Sequence, residues 1–236
     1  MLNKLFILLF SIMLLYSCSK NEKAISIPDP KEKSIEVYKE ALIALEDGDI
    51  FFASKKFSEA ELIMPTIEQS AKAALMNGFC LYTIRFYDQA IESLTRYKKK
   101  YPSDKNIIYA EYLINLSHYE QVLDEKKDIA PLIISKRKIE KFIKKYPKTD
   151  YSLDLRFKLD LINNQLAAKE LYVAKFYIQT KKWIPAINRL KNITVNYSET
   201  IFVEEALHRL VEVYYRVGLT EEAKKSAAIL GYNYNS

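Results

Sequence analysis

The chain has 236 residues, 49% of them apolar, and a formal charge of +6, so it holds one large domain or two small ones and is too apolar to be disordered. Only 4 Gly, 7 Pro, 2 Cys and 2 His occur, which counts against hairpin-rich β folds and glycine-rich phosphate loops and leaves little for a metal centre or a catalytic triad. An all-α chain without a catalytic centre, metal or cofactor is expected, and the positive charge raises nucleic acid or an anionic membrane as partners.

Residues 1–17 read as an export signal. Lys4 supplies a positive start, and Leu5 to Leu15 (LFILLFSIMLL) is an apolar run. It is too short to span a bilayer, which needs about 20 residues, and it fits a signal peptide. The run ends in Leu15-Tyr16-Ser17-Cys18, which resembles a bacterial lipobox and implies cleavage before Cys18 and its lipidation. An ordinary secretory signal with an accidental Cys is the plainer alternative. Two or more acyl chains hold a protein stably on a membrane where one does so only marginally. Ser19, in place of Asp, implies onward transport to the outer membrane, with the body facing the periplasm. Export makes nucleic acid an unfitting partner, so none is expected. Residues 18–33 then form the lipidated N-terminus and a tether, in which Pro28 and Pro30 oppose a helix. About 15 residues reach roughly 50 Å at full extension.

From Ser34 to Ser236 the pattern is helical and repeats. Small residues at Ala53, Ala90, Ser135, Ala186 and Ala223 mark one position of successive helical hairpins. Around them recur Ala41, Phe57, Ala60 and Pro65; Gly78, Leu94, Tyr97 and Pro102; Ile139, Phe142 and Pro147; Ala174, Tyr177, Leu190 and Ile193; and Leu210, Tyr214, Ala227 and Leu230. Small side chains suit a close helix crossing, large ones fill the space between hairpins, and Pro stops a second helix. The expected fold is an all-α, tetratricopeptide-like solenoid of about five hairpins. Its N-terminal units cover 34–103, a middle unit 104–148 and C-terminal units 149–236. The middle unit is the weakest, with a first helix near Asn106–Val122, a loop at Leu123–Pro131 and a second helix near Leu132–Tyr146. An irregular helical bundle is the simpler alternative.

Lys136, Arg137, Lys138, Lys141, Lys144, Lys145 and Lys148 surround only Glu140. They read as a solvated outer face or as a docking surface for acidic groups. Cys80, in an apolar stretch, reads as a buried thiol. His118 and His208 have neither metal-ligand spacing nor a neighbouring nucleophile, so no enzyme is expected.

Lipobox, tether and repeats together resemble the BamD family of outer-membrane assembly lipoproteins. The C-terminal third carries the resemblance best, in LAAKELYVAKFYIQTKKWIPAINRLKNITVNYSET followed by EEALHRLVEVYYRVGLTEEAKKSAAIL. There a Tyr-rich helix with Tyr172, Phe176 and Tyr177 precedes Trp183, the pair Asn188-Arg189 and Tyr197. The resemblance implies a scaffold of the β-barrel assembly machinery with two working surfaces. C-terminal units would bind a POTRA domain of a BamA-like insertase, with Arg189, Asn188 and Trp183 as the matching contacts. N-terminal units would hold unfolded barrel proteins, with Tyr82, Phe86 and Tyr87 as groove residues, although aromatics at this spacing also suit a core. Other lipoproteins of the machinery are implied partners. A different tetratricopeptide lipoprotein, adapting cell-wall enzymes or the Tol system, is the alternative function.

Overall fold

A computed structural model describes residues 30–121 and 129–234. The export signal, Cys18 and the tether to residue 29 lie outside the described residues, as do residues 122–128 of the loop placed in the middle unit. The described residues form ten helices and no strand: α1 (Pro30–Glu46), α2 (Ile50–Ile63), α3 (Ile67–Thr83), α4 (Tyr87–Lys100), α5 (Ile107–Glu120), α6 (Ala130–Lys145), α7 (Asp150–Gln179), α8 (Trp183–Asn196), α9 (Val203–Arg216) and α10 (Thr220–Tyr234). Consecutive helices pair as five hairpins. Contacts between α2 and α3, α4 and α5, α6 and α7, and α8 and α9 join each hairpin to the next.

The helix ends follow local chemistry. Asp49, Thr66 and Thr149 cap α2, α3 and α7 by accepting bonds from Phe52, Gln69 and Ser152 N–H groups, which satisfies donors that a helix start leaves unpaired. Helices α2, α4 and α6 stop one residue short of Met64-Pro65, Tyr101-Pro102 and Tyr146-Pro147, because a residue before Pro avoids the helical region. Two expectations give way here. Pro30, read as part of an open tether running to Lys33, is the first residue of α1. Ala130 and Pro131, read as loop, open α6. Pro is tolerated in a first turn, where its missing N–H has no helical acceptor to lose.

Within three of the hairpins, α3–α4, α7–α8 and α9–α10, the reversal is sharp. Phe86, Lys182 and Leu219 N–H groups reach back to the carbonyls of Leu81, Tyr177 and Tyr214 at 2.9, 2.8 and 2.8 Å. The residue before each takes a positive φ, at 63° for Arg85, 56° for Lys181 and 81° for Gly218. This is a Schellman closure, which favours glycine at the left-handed position. Two of the three sites carry a long cation instead. Because the left-handed region costs an L-residue about 1–2 kcal/mol, Lys181→Gly is expected to stabilise the chain by about 0.5–1 kcal/mol once glycine's backbone entropy is charged against it. Thermal unfolding checks this through a rise of roughly 2 °C, and a fall would refute it.

Most of the repeat positions are buried, while Tyr177 is half-buried and Pro65, Pro102 and Pro147 are exposed. Ala41, Ala53, Phe57, Ala60, Ala90, Leu94, Ala174, Ala186, Leu190 and Ile193 have no exposure at all. Gly78 lies so close to α4 that a Cβ there would sit 2.4 Å from Leu94 Cδ2. Ala227 departs from the pattern: it is exposed, while Ser226 is buried. Helix α10 is the last described helix, and among the described residues no further hairpin covers that side.

Burial groups into an N-terminal core around Ala41, Phe57 and Cys80, a central core from Ala71 to Leu166, and a C-terminal core from Ala167 to Leu230. The 30-residue α7 enters the last two, through Leu155 and Ile162 in one and Leu171 and Ala174 in the other. Cys80 is fully buried, and burial pushes its thiol up to about 11. Among the described residues, Glu61 of α2 is the one charged residue that is buried, its side chain 1% exposed. It accepts bonds from Arg96 Nη2 and Lys100 Nζ, both at 2.9 Å, and from the Tyr101 hydroxyl at 3.0 Å.

Candidate partner-binding surfaces

The three residues expected to meet a partner at the C-terminal end all lie on α8, but they do different things. Trp183 opens the helix directly after the Lys181 reversal, and it is half-buried against the C-terminal core. It sets the start of α8 and offers little surface. Asn188 and Arg189 face solvent. Arg189 Nη1 donates to both carboxylate oxygens of Glu170 on α7, at 3.1 Å each. The Glu170 side chain is 13% exposed and that of Arg189 is 45% exposed. One guanidinium nitrogen is thus held by Glu170, while Nε and Nη2 make no bond among the described residues.

Around them lies a shallow depression of about 450 Å³, lined by Tyr177, Ile184, Pro185, Asn188 and Asn192 together with the ion pair. Ile184 is 61% exposed. An anchored Arg beside Tyr and exposed aliphatic carbon is the composition that carries binding energy at protein interfaces. The exposed Tyr172 and Phe176 extend along α7, as its spacing puts them one turn apart.

At the N-terminal end the three expected groove residues do not make one lining. Tyr82 packs on the central core and approaches Tyr87, with ring centroids 6.0 Å apart. Phe86 turns the other way and meets Phe51 of α2 edge-on at 6.1 Å. Phe51, Phe52 and Phe86 are all more than 40% exposed, and Lys55 sits 4.5 Å over the Phe51 ring.

A second aromatic group was missed by sequence reasoning. Tyr112 of α5 stacks on Tyr151 of α7 at 4.7 Å, and Tyr109 lies 5.8 Å from Tyr151. The Tyr112 hydroxyl donates to Asp154 at 2.8 Å, and Asp154 also holds Lys158 at 3.0 Å. Burial, then the bond to Asp154, lifts the Tyr112 phenol well above its ordinary range. Burial and the nearby Glu120 and Asp154 charges raise Tyr82 as well. These tyrosines occupy the first helices of three successive hairpins, α3, α5 and α7, so one side of the solenoid carries an aromatic strip with acids at its edge. The only sequence signal was Tyr at i and i+3 of α5 followed by Tyr in the first turn of α7.

His118 and His208 are not brought together. His118 is half-buried on α5, held below its usual range by burial and then by the Lys138 charge, and His208 is exposed 3.7 Å from Glu212. Among the described residues no group of three or more His, Cys, Asp or Glu has metal-binding geometry. None of the described helices is long and apolar enough to cross a membrane.

Comparison with known proteins adds a family. The model of the YfiO family, described as outer membrane lipoprotein, matches residues 30–229. The chain is 36% identical over 198 residues to a Rickettsia prowazekii protein named outer membrane protein assembly factor BamD, covering 84% of this chain and 79% of that one. A Caulobacter vibrioides protein of the same name is 34% identical over 205 residues, or 86% and 67% of the two chains. One from Vibrio cholerae is 23% identical over 235 residues, covering 95% and 96%.

Proposed function

The chain belongs to the YfiO family of outer membrane lipoproteins, and from that premise we propose that it is an outer-membrane protein assembly factor that works by binding, as a scaffold, and not by catalysis. The observation that carries this reading is the extent of the family match, which runs from the first residue of α1 into α10 and so takes in every hairpin. The solenoid supplies the means, since stacked hairpins give a long surface on which different partners engage different units.

The finer assignment has two parts. Arg189 and Asn188, with Ile184 and Tyr177 beside them, form the seat for a POTRA domain of a BamA-like insertase. What supports this is a guanidinium fixed by Glu170 whose Nε and Nη2 make no bond among the described residues, a preorganised group for a partner carboxylate. Trp183 serves by holding the start of α8. The aromatic surfaces at Phe51–Phe86 and at Tyr82, Tyr87, Tyr109, Tyr112 and Tyr151 receive extended segments of unfolded barrel proteins, whose apolar side chains suit aromatic faces. Acyl chains on Cys18 hold the body on the periplasmic side of the outer membrane, where other lipoproteins of the machinery join it.

Arg189 gives the test. Titration of the chain against the insertase's POTRA domains is expected to show binding weakened at least about tenfold by Arg189→Glu, which sets a like charge beside Glu170 and repels a partner acid. Arg189→Lys should fall between, because an ammonium keeps the charge and loses the fork. Unchanged affinity in both variants would overturn the assignment, as would crosslinks from position 188 in cells that recover Tol proteins or cell-wall hydrolases and no insertase.

A further inference from the structure

The basic run found in the sequence becomes a surface in three dimensions, and the Arg189 seat does not use it. Ile133, Ile134, Arg137, Lys138, Lys141, Lys144, Lys145 and Lys148 are all exposed and make up the outward face of α6 and its end. The single acid in that stretch, Glu140, lies 3.9 Å from Lys136.

The last turn of α4 joins this face. Glu111 of α5 takes Lys98 at 2.8 Å and Lys145 at 2.9 Å on the same oxygen, Oε1, which brings the ends of α4 and α6 to one carboxylate. Burial of Glu111 would raise its pKa, but its bonds to Lys98 and Lys145 and their charges outweigh that and hold the carboxyl below its usual range. Glu61 likewise serves both Arg96 and Lys100. Each of the two acids is thus shared between two cations, and Lys99, Lys141, Lys144 and Lys148 make no ion pair among the described residues.

Topology says what this surface faces. In a row of antiparallel hairpins, first helices begin and second helices end along the same edge. Pro30, where the chain leaves the tether, therefore lies on the edge that carries the ends of α4 and α6. Between Cys18 and Pro30 there are about 12 residues, a reach of roughly 40 Å, so an anchor at Cys18 would keep this edge near the bilayer. The cations spread along α6 from Arg137 to Lys145, about 12 Å of helix, with Lys148 just past its end, over an outer face and not in a cleft. That shape fits a plane of phosphates better than a single acidic peptide.

We propose that the edge built from the last turns of α4 and α6 docks on the anionic headgroups of a phospholipid bilayer. The lipid anchor tethers the body, and this edge orients it, turning the remaining faces toward soluble partners. The inference rests on the anchoring part of the preceding reading, and its test is independent of the POTRA titration.

The experiment uses the mature chain from Ser19, which keeps every described helix and has neither signal nor acyl chain. It is sedimented with vesicles of phosphatidylcholine alone and of phosphatidylcholine mixed with phosphatidylglycerol. Binding is expected only to the anionic vesicles and should fade with added salt, since exposed charges are screened within about 8 Å at physiological ionic strength. The variant carrying Lys141→Glu, Lys144→Glu and Lys148→Glu should bind at least about tenfold more weakly with unchanged thermal unfolding. The same three changes to Gln should give an intermediate loss. Equal binding to neutral vesicles would overturn the proposal, and so would full binding by the charge-reversed chain. Capture of soluble polyglutamate without any binding to vesicles would overturn it in favour of an acidic polypeptide.

Discussion

Leu94→Ala in α4 is expected to destabilise the chain by about 3 kcal/mol, and adding Gly78→Ala to it is expected to return part of that loss. Leu94 is fully buried, so its truncation removes transfer energy and leaves a cavity, a combination that costs roughly 3–5 kcal/mol in well-packed cores. The cavity opens directly over Gly78, whose missing Cβ would meet Leu94 Cδ2 at 2.4 Å and Cγ at 2.6 Å. In the native background Gly78→Ala therefore overpacks the crossing of α3 and α4, at about 1–3 kcal/mol, against a gain near 1 kcal/mol from better helix propensity. In the Leu94→Ala background the clash is gone and both the methyl and the propensity help. Urea unfolding of the two single variants and the double variant measures the coupling, expected at about 2 kcal/mol in favour of the double. Additive losses would mean that α3 and α4 are not held at this distance by the pair.

Glu61→Gln is the second large loss, about 2–3 kcal/mol. The substitution keeps shape and removes charge from a carboxylate that serves two cations and the buried Tyr101 hydroxyl. A glutamine amide has one oxygen for three donors, and its own N–H groups then face a guanidinium or an ammonium. A fully buried pair broken this way costs about 3–5 kcal/mol. The figure here is lower because the Arg96 and Lys100 side chains are about half exposed and can turn to water. Glu59→Gln is the control. Glu59 lies 3.4 Å from Lys56 with 47% of its side chain exposed, so its loss should stay within about 0.5 kcal/mol. Equal losses at the two positions would show that burial of Glu61 confers no special stability.

Much of the architecture is local chemistry, which is why it can be read in one dimension. Pro65, Pro102 and Pro147 stop three second helices because the backbone rule acts on the preceding residue alone. The small residues at Ala53, Ala90, Ser135 and Ala186 are buried because the hairpin crossing repeats wherever the spacing repeats. What escaped depends on context. Pro30 and Pro131 look like helix breakers until a first turn makes their missing N–H harmless. Arg85 and Lys181 carry nothing that announces a left-handed backbone; only the closing bonds to Leu81 and Tyr177 impose it. Ala227 fits the repeat perfectly in spacing and is still exposed, since no periodicity tells a chain whether another hairpin follows. The Tyr109, Tyr112 and Tyr151 group joins residues some 40 positions apart, and Tyr82 packs on the central core while its ring approaches Tyr87. Arg189 could be picked out by family resemblance, but its partner Glu170 emerges only when α7 and α8 fold together.

Helix α7 has a mechanical meaning beyond its share of two cores. Tyr151 in its first turn belongs to the aromatic strip, and Glu170 near its far end grips Arg189. The 19 positions between them, at 1.5 Å each, set the two surfaces roughly 30 Å apart along one unbroken rod. A flexible joint would let that distance drift; a continuous helix makes it a ruler. Length and angle are locked together on such a rod, so four added residues would lengthen the span by about 6 Å and swing one surface by only about 40°, whereas two would turn it to nearly the opposite side. A cargo segment bridging both surfaces would therefore have to match a fixed gauge.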